Sequence, residues 1–335
     1  MLKRVNSNNL FALRARLKAV IREFFCHYTE VDTPVIVRCP GVERYMRYFA
    51  TSWDDGGRKY PLWLRSSPEL HMKRLIARGY SHIYQMGPCF RNSGEHLEWH
   101  HPEFWMLEWY QHPSSFKDMI ETIESLLTHC FSQMSQDKHI HIERLSVYQC
   151  FSDFLGVTLM DHDPELPQQL AHAGVGSITE NDDFESAYFK ALLEVIEPKI
   201  EEVSDVVILY DYPPSQGVLA QLGAPGITTT DQNKTEQKRA KRAEAYVRGL
   251  EIANGCLELW QTSAHTKHEN IINQARQKEG IECPAFDRHF LQATDHFPDN
   301  LSGVACGFDR LLGVITNQCL DSVIPFRDDT IYPPS

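Results

Sequence analysis

The sequence predicts an α+β fold, and three patterns carry that prediction. Leu10, Leu13, Leu17, Val20, Ile21 and Phe24 recur at helical spacing near the start of the chain. Two strand-like runs, residues 81–86 and 103–110, enclose a polar loop from about residue 91 to 101. A long stretch of helical pattern then runs to about residue 200 before strand patterning returns at residues 206–210.

The first helix can be capped by Asn8 or Asn9. It leads into Glu30-Val31-Asp32-Thr33-Pro34, where Pro34, having no N–H to donate, confines the segment to the edge or end of a strand. In the run 103–110, strand alternation places Phe104, Met106, Glu108 and Tyr110 on one face and Trp105, Leu107 and Trp109 on the other. One face is wholly apolar. The other combines a carboxylate and a phenol with apolar groups, which suits either a site floor or a satisfied core glutamate. Ser114 or Ser115 can cap a helix with Phe116, Met119, Ile120, Ile123, Leu126 and Leu127 on its apolar side, opening a helical insertion at about 113–204. Residues 246–259 read as strands, and 303–315 as a strand or turn entering a helix. The basic run 234–242 reads as a solvated loop or helix face, with a phosphate or partner contact as its second reading.

A chain of 335 residues can bury a substantial core, and residues 1–335 are expected to form a single domain around that insertion. No uncharged apolar run approaches the roughly 18 to 20 residues that span a bilayer, so no membrane association is expected. The polar segment after Met1-Leu2-Lys3-Arg4 interrupts any signal peptide, which points to a cytoplasmic location. Nine cysteines without a Cys-x-x-Cys pair suggest reduced core thiols. The net charge of −12 argues against a large tRNA-binding surface, since gripping phosphates requires a basic face.

Three clusters carry chemical potential. Arg91, Asn92, Glu95, His96, His100 and His101 supply donors for a polyanion in the loop before the 103–110 strand. Glu251-Ile252-Ala253-Asn254-Gly255-Cys256-Leu257-Glu258 sets two carboxylates and an amide around a glycine that permits a bend or bulge; oxygen ligands of this kind suit Mg²⁺, and an exposed strand of alternating charge is the other reading. Gly303-Val304-Ala305-Cys306-Gly307-Phe308-Asp309-Arg310-Leu311 places small residues, which let a ligand approach the backbone, before an arginine able to stack on a purine or pair with phosphate.

In this order the clusters resemble the signature motifs of class II aminoacyl-tRNA synthetases. Val31-Asp32-Thr33-Pro34 is similar to motif 1, the segment from Phe90-Arg91-Asn92 to Pro102-Glu103-Phe104-Trp105-Met106-Leu107-Glu108 to motif 2, and residues 303–311 to motif 3. Ser67-Pro68-Glu69-Leu70-His71-Met72-Lys73-Arg74-Leu75 and Gly249-Leu250-Glu251-Ile252-Ala253-Asn254-Gly255 resemble the lysyl subgroup, and more closely its short paralogues, the elongation factor P lysine ligases.

The resemblance implies the class II catalytic fold, a mostly antiparallel sheet flanked by helices, as a homodimer joined through motif 1. Motif 1 begins near residue 30, which leaves no room for the anticodon-binding domain of lysyl-tRNA synthetases. The implied reaction is ATP-dependent activation of lysine or (R)-β-lysine as an aminoacyl-adenylate and its transfer to a lysine of elongation factor P, a post-translational modification. The same chemistry with tRNA or another amine as acceptor is one alternative, and a non-catalytic paralogue that binds or senses is another. By matching positions, Arg91 and Arg310 are the catalytic residues. The ATP site comprises Arg91, Asn92, Ser93, Glu95, His101, Phe104, Glu251, Ile252, Gly307 and Arg310, with Ser93 and Glu95 competing for one contact. The amino-acid site comprises Ser67, Pro68, Glu69, Tyr110, Glu258 and Ala305, and Glu251 and Glu258 would hold Mg²⁺.

Overall fold

The computed structural model describes residues 7–41, 43–92, 100–135, 139–217, 219–227 and 238–326. In chain order the elements are α1 (Ser7–Phe24), β1 (Thr29–Glu30), β2 (Ile36–Val37), β3 (Ala50–Asp54), β4 (Lys59–Leu64), α2 (Glu69–Ile76), β5 (His82–Phe90), β6 (Glu103–Gln111), α3 (Phe116–Met134), β7 (Ile142–Ser146), α4 (Val147–Leu155), α5 (Leu166–His172), α6 (Phe184–Ala191), α7 (Glu197–Val203), β8 (Val206–Tyr212), β9 (Leu222–Gly223), β10 (Arg239–Val247), β11 (Leu250–Leu257), α8 (Thr262–Lys278), α9 (Arg288–Thr294), β12 (Ser302–Gly307), α10 (Phe308–Thr316) and α11 (Leu320–Val323). They divide into two compact units, one drawn from 1–114, 129–138 and 259–335 and the other from 115–128 and 139–258.

The first unit is organised by strands in the order β1, β5, β6, β12; β1 runs parallel to β5 and the other pairs are antiparallel. The expected pair of strands around a polar loop is present as β5 and β6, matched residue for residue from His82 opposite Gln111 to Phe90 opposite Glu103. The apolar face of β6 is the one that α1 covers: Leu107 and Trp109 are buried, and Phe25, just past the helix, lies against Trp109 with ring centroids 5.4 Å apart. Lys18 sits 3.5 Å above the Trp105 ring, and Arg14 forms a buried ion pair with Asp309. Helix α1 begins at Ser7, so Asn9 lies inside the helix rather than at its cap, a displacement ordinary for helix ends. A small antiparallel sheet, β2-β4-β3, stands apart from the main one.

The second unit orders its strands β11, β10, β8, β7, with β9 on β10; β7 and β8 are parallel and the rest antiparallel. Helices α4 to α7, with the π-helical turn Leu192–Ile196 that joins α6 to α7, cover it, burying Phe151, Leu170, Tyr188, Ile196 and Ile200 against Val207, Leu209 and Tyr246. Local signals set their ends. Gly156 closes α4 in the left-handed conformation at φ 67°, and the Asp183 side chain caps α6 by accepting from the Ser186 N–H at 2.9 Å. The expected helical insertion thus contains these helices, together with the strand β7, which the helical pattern concealed.

Residues 239–242 of the basic run belong to β10, so the expected solvated loop or helix face is not formed there. Lys241 donates to the carbonyl of Gly226 at 2.9 Å, and Arg242 pairs with Glu244. Residues 234–237 lie outside the described part. Among the described residues no helix is long and apolar enough to cross a membrane.

Candidate active site

The first unit supplies a floor made by strand register. Cross-strand partners share a face, and in β6 and β12 they are Met106 with Gly307, Glu108 with Ala305 and Tyr110 with Gly303. A buried carboxylate and a buried phenol therefore share a face with three small residues, which would let a ligand approach the backbone there. The Tyr110 hydroxyl donates to Glu108 Oε1 at 2.7 Å. Gly307 has φ −71°, which any residue adopts, and a Cβ there would meet Arg310 only at 3.5 Å. The fold itself does not demand glycine at that position.

Ser67 and Pro68 lead into α2, whose first residue is Glu69; the Glu69 backbone N–H donates to Ser67 Oγ at 3.2 Å. One turn on, Lys73 Nζ donates to Glu69 Oε1 at 2.6 Å, with the lysine side chain 2% exposed and the glutamate 41%. The Lys73 ammonium, helped by His265 and His268 of α8, holds the Glu69 carboxyl below the usual carboxylate range. His265 Nε2 lies 2.6 Å from the carbonyl oxygen of Leu259, and its ring meets Phe290 edge-on; burial, then the Lys73 charge, pushes it down to about 4. A substrate ammonium meeting Glu69 would share the carboxylate with Lys73.

At the end of β5, the Arg91 backbone N–H donates to the Pro102 carbonyl at 2.9 Å and its guanidinium carbon lies 5.2 Å from the Phe104 ring centroid. The next N–H, of Asn92, donates to the Arg47 carbonyl at 2.9 Å. The His101 ring folds back onto the Glu103 backbone, with Nδ1 2.5 Å from its carbonyl oxygen and 3.3 Å from its nitrogen. In the first turn of α10, Arg310 Nη2 donates to His100 Nε2 at 3.0 Å, a geometry that requires an unprotonated acceptor on the imidazole. Asp309 pins this turn, accepting from the Trp105 N–H at 2.6 Å and from Arg14. Ser93 and Glu95, and His96 beside them, lie outside the described residues.

The second unit places the other carboxylates. In the β10–β11 hairpin, Glu244 pairs with Asn254 and Ala245 with Ala253, but Tyr246 pairs with Glu251, so Ile252 is an extra residue. Strict alternation would set Glu251 and Glu258 on opposite faces, because their separation is odd. The bulge reverses Glu251, bringing it to the face of Asn254 and Cys256; alternation continued past the strand end carries buried Glu258 there too. The bulge falls at Ile252 and not at Gly255, which pairs regularly with Ala243. Ile252 itself is buried, at 2% exposure. Among the described residues no three His, Cys, Asp or Glu side chains converge as a metal cage. Two carboxylates on one strand face fit Mg²⁺, which is ordinarily held by one or two carboxylates and the phosphates of a substrate.

Sequence reasoning passed over Lys73, although its i, i+4 spacing from Glu69 was legible, and left Glu108 undecided between floor and core. It also missed His265 and His268, whose spacing of three on α8 did not reveal that they act on Glu69.

This arrangement is that of a known class. Residues 1–330 match the class II tRNA synthetases (D, K and N), and the chain belongs to that family. Within it, the chain is similar to enzymes named elongation factor P--(R)-beta-lysine ligase. That of Vibrio cholerae serotype O1 is 32% identical over 308 residues, 89% of each chain. The Haemophilus influenzae relative is 31% identical over 322 residues, 94% of each, and that of Yersinia enterocolitica serotype O:8 32% over 322 residues, 93% of each. The resemblance read from the motifs is borne out.

Proposed function

We propose that the protein activates lysine or (R)-β-lysine with ATP and transfers the aminoacyl group to a lysine side chain of elongation factor P. The observation that carries this reading is the floor of β6 and β12, where Tyr110 and Glu108 face Gly303, Ala305 and Gly307. Small residues opposite a buried acid suit an ammonium-bearing substrate, and the named relatives supply the acceptor.

In the first step a substrate carboxylate oxygen attacks the α-phosphorus of ATP, the bond to the bridging oxygen breaks, and pyrophosphate leaves. The nucleophile is already ionised at neutral pH, so no general base is needed. Catalysis then rests on alignment and charge neutralisation. Arg91 neutralises charge at the α-phosphate, and Phe104 and Arg310 bracket the adenine, with Asn92, His101, either Ser93 or Glu95, the backbone at Ile252, and Gly307 completing the nucleotide site. Glu69, with Ser67, Pro68, Tyr110, Glu258 and Ala305, receives the amino acid. Glu251 and Glu258 would hold Mg²⁺, which when bound offsets phosphate charge. In the second step the acceptor amine, having shed a proton, attacks the acyl carbon and AMP departs. A cytoplasmic homodimer joined through motif 1 belongs to the same reading.

The test is amino-acid-dependent ATP–pyrophosphate exchange, followed by transfer assays with elongation factor P and tRNA in parallel. Exchange with a lysine isomer and labelling of elongation factor P are expected. Exchange with no amino acid would overturn the reading in favour of a binding or sensing paralogue, and labelling of tRNA alone would reassign the acceptor.

A further inference from the structure

We propose that Glu244 is a positioning residue that holds the face on which Glu251 and Glu258 would bind Mg²⁺; the inference rests on the metal assignment made under the proposed function. Glu244 lies on β10 and is 5% exposed. Its Oε1 accepts from Asn254 Nδ2 at 2.9 Å and from Arg242 Nη2, and its Oε2 accepts from the hydroxyls of Tyr212 at 2.6 Å and Tyr246 at 2.8 Å. A carboxylate has about four lone-pair sites, so this one is saturated and cannot ligate a metal without giving up a donor.

What the network touches identifies its role. Tyr246 is the register partner of Glu251, directly across the bulge, and Asn254 stands between Glu251 and Glu258 on their shared face. Glu244 therefore ties together the residue opposite one candidate ligand and the residue between both. Arg242, bonded also to the Gln216 carbonyl at 2.8 Å, supplies the positive charge that lets carboxylates gather on one face. An ion pair buried in a sheet adds little net stability over apolar side chains of the same volume, whereas a saturated network holds its members in one geometry. The arrangement thus serves the aim of Glu251 and Glu258 more than the stability of β10.

The experiment uses the full chain. Mn²⁺ binding is titrated by electron paramagnetic resonance with α,β-methylene-ATP present, and Mg²⁺ half-saturation is measured in pyrophosphate exchange. Glu244→Gln is expected to weaken Mn²⁺ binding about tenfold or more, as loss of a group that orients metal ligands does. The Mg²⁺ concentration for half-maximal exchange should rise in step, with kcat recovered at saturating Mg²⁺ and with metal-free nucleotide affinity unchanged. If Glu244→Gln does not fold, Tyr212→Phe, which removes one donor, carries the test with an expected loss of about threefold. Unchanged Mn²⁺ affinity in the Glu244 or Tyr212 variant, where Glu258→Gln abolishes it, would overturn the inference alone. Unchanged affinity in both Glu251→Gln and Glu258→Gln would overturn the metal assignment and the inference with it. Lower kcat at an unaltered Mg²⁺ half-saturation would reduce Glu244 to a structural residue.

Discussion

Gly307 separates what the fold requires from what a ligand would require. Its φ of −71° suits any residue and an added Cβ would make ordinary contact with Arg310. Gly307→Ala is therefore expected to keep unfolding free energy within about 0.5 kcal/mol while weakening ATP about tenfold, because the methyl would occupy nucleotide space. Chemical denaturation and the KM for ATP in exchange check the two halves; a lower stability with unchanged KM would mean that the position serves packing. Glu69→Gln tests the other end of the site. Its carboxylate is already engaged by Lys73, so losing the charge should raise the KM for the amino acid about tenfold or more and leave that for ATP nearly unchanged. Equal effects on both would remove Glu69 from the ammonium role. These residues were legible because motifs are local in sequence. Lys73 was legible in principle from its spacing, but its burial was not: only packing decides which lysine loses its water.

At the scale of elements, β5 and the segment before α2 are locked by one side chain. Arg65 is buried and donates to the carbonyls of Pro88 at 3.0 Å and Thr33 at 2.9 Å, and to Thr33 Oγ1 at 2.8 Å. A Cβ on Gly87 would fall 2.7 Å from its Nη2. The guanidinium is held from several sides and cannot yield, so Gly87→Ala is expected to cost about 1–3 kcal/mol in denaturant unfolding. A loss below about 0.5 kcal/mol would show that Arg65 swings aside. Periodicity foresaw β5, β6, α3 and the return to strand at β8, because each alternates or repeats within its own length. It did not foresee β7 or the start of β10, since a five-residue strand among helices and a run of basic residues present no apolar period.

At the scale of the whole molecule, acid and base act on different groups of the first unit. Burial and the nearby Asp287 push the Glu269 carboxyl from its ordinary 4.5 up to about 7. The folded chain keeps a proton there that the unfolded chain releases, so this contribution is full below about pH 4.5 and is lost as pH rises through about 7. Glu269→Gln should flatten the fall of the melting temperature between pH 5 and 8, whereas an unchanged slope would assign the alkaline loss to other groups. His265 works in the opposite direction. With its value pushed from 6.5 down to about 4, the unfolded chain takes up the proton first, and stability present above about pH 6.5 is lost as pH falls toward 4. Melting curves of His265→Gln against pH should lose that acid limb; retention of the limb would assign it to other groups.

The sequence by itself determined the family, the floor strand with Glu108 and Tyr110 on one face, and the residues of the three motifs, because alternation and short spacings are properties of the local backbone. The tertiary structure decided which of those residues meet. The extra residue at Ile252 turned Glu251 to the face of Asn254, and buried Glu244 acquired donors from β8, β10 and β11. No local rule predicts either result. A bulge is set by how two strands pair, and a buried carboxylate is tolerable only where the fold brings enough donors to replace its water.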